Sequence, residues 1–87
     1  METKNKKRIA ILDDSDYYNV ILSKQVEYFT NTLKLENETE FEINSYLSTD
    51  AFFSELKPDT DLIILDFYLD NGVSALSILN RIKKRCK

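Results

Sequence analysis

Eighty-seven residues, 43% hydrophobic and 31% charged, make one small globular domain at most. A net charge of −3 with no histidine, one glycine and one cysteine excludes imidazole catalysis, the common zinc sites, glycine-rich phosphate loops and an internal disulfide. No stretch approaches the roughly 20 apolar residues of a membrane span, the charged N-terminus lacks the apolar core of a secretory signal, and the lone Cys86 fits a reducing cytoplasm.

Charge is unevenly placed. Residues 1–8, a basic lead-in, sum to +3 and residues 81–87 to +5, so residues 9–80 carry −11. An acidic middle with basic ends is a poor nucleic-acid surface and a better cation site; the plain alternative is a solvated acidic surface.

In chain order, Arg8-Ile9-Ala10-Ile11-Leu12 is a short apolar run ending in Asp13-Asp14, and it reads as a strand with the acid pair at its carboxyl end. Ser15 or Asp16 caps the helix that follows. The spacing of Tyr18, Ile21, Leu22, Val26, Phe29 and Leu33 predicts a helix from about Asp16 to Leu35 with one buried face. Asn37-Glu38-Thr39-Glu40 reads as a loop. Phe41, Ile43, Ser45 and Leu47 alternate with Glu42, Asn44, Tyr46 and Ser48, a period of two that predicts a second strand near a sheet edge. Ser48 or Thr49 caps a short helix that turns Phe52, Phe53 and Leu56 inward and is closed by Pro58.

Four apolar residues, Leu62 to Leu65, then lie between Asp61 and Asp66. Such a run predicts a strand buried on both faces, the mark of a parallel sheet. Asp66 falls at its carboxyl end, the edge at which open α/β sheets bind ligands. Beyond Gly72, Ala75, Leu76, Leu79 and Ile82 recur at helical spacing, and Arg81, Lys83, Lys84 and Arg85 sit where the helix dipole favours positive charge. The order is βαβαβα, hence an α/β fold with a parallel sheet covered by helices and right-handed crossovers.

Three carboxylates carry the chemistry. If the first and third strands are neighbours, Asp13, Asp14 and Asp66 converge at one sheet edge. Clustered carboxylates repel unless a cation lies among them, and hard oxygen ligands suit magnesium. A magnesium so held can orient a phosphoryl group, and a carboxylate can attack its phosphorus. The alternative is that Asp13 and Asp14 only cap the first helix and Asp66 only ends a strand.

Ile9-Ala10-Ile11-Leu12-Asp13-Asp14-Ser15 and Asp61-Leu62-Ile63-Ile64-Leu65-Asp66-Phe67-Tyr68-Leu69, in this order and spacing, resemble the first strand and acid pair, and the third strand, of a response-regulator receiver domain. The resemblance implies a flavodoxin-like sheet whose first three strands lie in the order 2-1-3. It implies a two-component signalling module that accepts a phosphoryl group on Asp66 from a histidine kinase, rather than an enzyme that turns over a substrate. It further implies magnesium held by Asp14, Asp66 and the backbone carbonyl of Tyr68, with Asp13 acting through water.

The chain departs from the family in places. Asp70 stands where the family often has proline, and Ser74 falls near a usual glycine. The resemblance covers residues 1–87 as the first three of five βα units. The hydroxyl residue and the lysine of the family's fourth and fifth strands are therefore expected to be missing, and with them rapid labelling of Asp66. A third strand without a neighbour is expected to pair with a second copy, giving a homo-oligomer. Two other readings stay open. One is a truncated or degenerate receiver that only docks a protein partner. The other is a magnesium-dependent phosphotransferase or phosphatase with an aspartyl nucleophile, against which stands Tyr68 where a second aspartate is common. The five tyrosines and five phenylalanines read as packing, and Cys86 as an incidental thiol.

Overall fold

The sheet is built around β1 (Lys6–Leu12), whose apolar run Ile9 to Leu12 is buried. It pairs in parallel with β2 (Glu40–Tyr46) on one side and β3 (Leu62–Leu65) on the other, so the strand order is 2-1-3. The computed structural model describes residues 6–37, 39–66 and 74–85. Three helices complete the α/β fold: α1 (Asp16–Asn37), α2 (Thr49–Glu55) and α3 (Ala75–Arg85). Leu12 stands level with both Tyr46 and Leu65, so the three strands finish at one height. No described helix is long and apolar enough to cross a membrane.

Strand alternation divides the core between two faces. Ala10 and Leu12 join Phe52, Phe53 and Leu56 of the α2 region and Ile78 of α3, with Tyr46, Ile63, Leu65 and Ile82 packed around them. Phe52 meets Tyr46 and Phe53 edge-on, with ring centroids 5.8 and 5.0 Å apart, an arrangement that sets ring edges against ring faces. Ile9 and Ile11 take the opposite face, where α1 packs on β1 and β2. Ser48 caps α2 by accepting from the Ala51 amide at 3.1 Å, and the chain leaves the helix at Leu56, two residues before Pro58.

The ends of the elements differ from expectation for local reasons. β1 starts at Lys6, inside the basic lead-in, because Lys6 and Lys7 pair with Glu40 and Phe41 across the sheet. There Lys6 and Arg8 both reach Glu42 of β2, and Arg8 Nε also donates to Asp59 at 3.0 Å. The expected loop from Asn37 to Glu40 is shorter, since α1 holds Asn37 and β2 begins at Glu40.

Three expected faces are corrected. On α1, Tyr18, Ile21 and Phe29 are exposed, and the line turned to the sheet runs through Asn19, Leu22, Val26, Thr30 and Leu33. Asn19 and Thr30 tolerate burial because their side chains bond main-chain carbonyls. On α3, Ile78 and Ile82 face the core while Leu76 and Leu79 are exposed, and Arg81 lies 3.8 Å over the Phe53 ring instead of serving only as helix-end charge. β3 is not buried on both faces: Leu62 is 50% exposed and the next three residues are half-buried. α1 lies over β1 and β2, and β3 borders no further strand among the described residues.

Candidate metal centre at the carboxyl edge of the sheet

The site begins where β1 runs out of apolar residues. The chain leaves the sheet at Asp13, whose amide still donates to the Tyr46 carbonyl of β2 at 3.2 Å. On the other side the Asp66 amide donates to the Leu12 carbonyl at 2.9 Å. These two bonds extend the ladder by one residue on each flank of β1 and bring the ends of β1 and β3 together. Asp13 is 8% exposed, while Asp14 and Asp66 are half-buried.

A tight turn then aims the acid pair. Ser15 donates its amide to Asp13 Oδ1 at 3.0 Å, and its own Oγ accepts from the Tyr18 amide at 3.3 Å. Ser15 is thus the residue that caps α1, and its carbonyl accepts the first helical bond, from Asn19 at 2.8 Å. Turn and cap together place the positive end of the α1 dipole beside the carboxylates, which favours negative charge there.

One oxygen from each of Asp13, Asp14 and Asp66 lies within 4.8 Å of the others. In an octahedral magnesium shell with bonds of about 2.0–2.1 Å, neighbouring oxygens are about 3 Å apart and opposite ones about 4 Å. A small closure therefore suffices for the three to share one ion, directly or through water. The donor set is all carboxylate oxygen, which suits magnesium and not a soft metal. Tyr68, expected to offer its backbone carbonyl, lies outside the described residues, as do Asp70, Gly72 and Cys86.

A groove of about 420 Å³ opens beside Asp13 and Asp66, walled by Ser15, Tyr18, Ile21, Leu22 and Gln25 of the α1 side. It gives the Asp66 carboxylate an approach from the flank of α1. Charge elsewhere is arranged differently. At the amino end of the sheet the Lys6 ammonium, the Arg8 guanidinium and the Asn44 amide, working against burial, hold the Glu42 carboxyl down to about 2. Asp59 and Glu42 in turn raise the Arg8 pKa. That cluster is charge-balanced and ties strands together, whereas Asp13, Asp14 and Asp66 bring three acids to one point.

Sequence reasoning missed Asn19. Its Nδ2 donates to the carbonyls of both Asp13 and Tyr46, at 2.9 and 3.0 Å. The available signal was an amide at the seventh residue counted from Asp13, on the helix face that proves buried. No family model, curated protein or solved structure matches this chain.

Proposed function

We propose that the chain is a phosphoacceptor signalling module, the N-terminal part of a receiver domain, that takes a phosphoryl group on Asp66 from a histidine kinase with magnesium. The observation that carries the reading is the meeting of Asp13, Asp14 and Asp66 oxygens within 4.8 Å at the carboxyl edge of a parallel sheet of order 2-1-3. The motif resemblance names the same three residues.

In this reading Asp14 and Asp66 hold the ion directly and Asp13 acts through water. Bound magnesium would draw in the phosphoryl oxygens and offset their charge. An Asp66 carboxylate oxygen attacks the phosphorus of the donor phosphohistidine. A new O–P bond forms as the P–N bond breaks, and the electron pair of that bond stays on the imidazole nitrogen, which takes up a proton. Asp66 is left as an acyl phosphate, and the chain is an acceptor rather than a turnover catalyst.

The test is a magnesium titration followed by tyrosine fluorescence and NMR shifts. Weak binding is expected in the wild type, lost in Asp14→Ala and Asp66→Ala. Identical titrations of wild type and Asp14→Ala would remove the site. Label from a histidine kinase should then accumulate on Asp66 only slowly, as a hydroxylamine-sensitive phosphate. The second reading, a docking module that is never phosphorylated, is favoured by the exposed Tyr18, Ile21 and Phe29 on α1; magnesium binding with no label on Asp66 even after prolonged incubation with the kinase would select it.

A further inference from the structure

One buried amide holds the ends of two strands at once. Asn19 is 5% exposed and stands in the first turns of α1. Its Nδ2 bonds the Asp13 and Tyr46 carbonyls, and its Oδ1 accepts from Ser23 Oγ at 3.4 Å. The main chain of Asp13 is therefore fixed on both sides: its amide is on Tyr46 and its carbonyl on Asn19. Its carboxylate is held as well, by the Ser15 amide. A buried amide is costly unless its donors and acceptor are all engaged, and here each end is bonded. Two donors, one on the carbonyl just past β1 and one on the last carbonyl of β2, fix the height of α1 against the sheet edge, which one bond would leave free to pivot.

We propose that Asn19 is a positioning residue for the carboxylate cluster. It sets Asp13 along the sheet edge, and through Asp13 the separation of the acid pair from Asp66. The inference rests on the magnesium reading above and deepens it. Partners that orient metal ligands typically contribute 10–100-fold to affinity, whereas a residue that only stabilises the fold leaves the affinity of folded molecules alone.

The experiment compares magnesium affinity in wild type, Asn19→Leu and Thr30→Ala, with the folded fraction measured by circular dichroism in the same samples. Thr30 is as buried as Asn19 on the same helix, but its hydroxyl bonds the Glu27 carbonyl within α1, away from the edge. In folded Asn19→Leu the dissociation constant should rise about tenfold or more, while Thr30→Ala loses stability and keeps wild-type affinity. Should Asn19→Leu not fold, Ser23→Ala, which releases the amide oxygen, should weaken binding in the same direction. Wild-type affinity in folded Asn19→Leu, or in Ser23→Ala where that variant is needed, overturns the inference and leaves the magnesium site standing. A wild type that binds no magnesium overturns both, and the wild-type titration alone tells the two failures apart.

Discussion

Glu42 carries the clearest charge effect among the described side chains. Its carboxylate meets Lys6 at 3.2 Å, Arg8, and Lys57 at 3.8 Å, so one acid on β2 gathers bases from β1 and from the turn after α2. Its pKa of about 2 lies below the ordinary value of 4.5. A carboxyl whose folded pKa is depressed contributes stability above its unfolded pKa and loses it as pH falls through the folded one. Glu42 should therefore stabilise fully above about 4.5 and cease to do so near 2. Urea midpoints measured across that range should fall less steeply in Glu42→Gln than in the wild type, and parallel curves would show that the cluster adds nothing. Arg8 also takes the Asp61 carboxylate on its backbone amide at 2.9 Å, so the same knot fixes where β3 starts.

The elements separate what was legible in the sequence from what was not. Short apolar runs ending in acid make β1, β3 and the placing of Asp13, Asp14 and Asp66 legible, because a run of four apolar residues between charges is too short for a helix and fits a strand. The face of α1 was harder. Its apolar residues spread over more than one column, and which column is buried depends on where the helix lies over the sheet. Asn19 and Thr30 look like surface residues until the carbonyls they bond are seen, and a carbonyl leaves no trace in a side-chain pattern. The four apolar residues of β3 do not by themselves tell how deeply it is buried, because burial belongs to neighbours, not to the strand itself. α3 shows the same ambiguity in a form open to measurement. Ile78 is fully buried and Leu79, beside it, is 43% exposed. Ile78→Ala should cost about 2–5 kcal/mol, and Leu79→Ala about 0.5 kcal/mol, by urea unfolding. A larger loss in Leu79→Ala than in Ile78→Ala would mean that α3 packs by the stripe Ala75, Leu76, Leu79 and Ile82 suggested by spacing alone.

At the scale of the whole molecule the sheet is lopsided. β2 has α1 and α2 against it and β1 lies between two strands, but β3 is an edge among the described residues. An apolar edge with unpaired backbone groups is a template for another strand, and a second copy brings the same edge. A two-fold axis normal to the sheet runs the two β3 strands antiparallel. Centred between Ile63 and Ile64, it sets Leu62 opposite Leu65 of the second copy, so apolar residues face each other along the four-residue run. The same register sets Asp61 opposite Asp66 of the second copy at both ends, and like charges directly opposed oppose pairing. Self-association of the 87-residue chain should then strengthen as salt is raised, because screening weakens the acid–acid repulsion over a Debye length of about 10 Å at 0.1 M. An interface held by ion pairs would respond in the other direction. Sedimentation velocity at micromolar protein should show dimer growing with ionic strength, and Ile64→Lys, which puts a charge on the edge strand, should hold the chain monomeric. A monomer at every salt concentration, or a dimer indifferent to Ile64→Lys, would rule out pairing through β3.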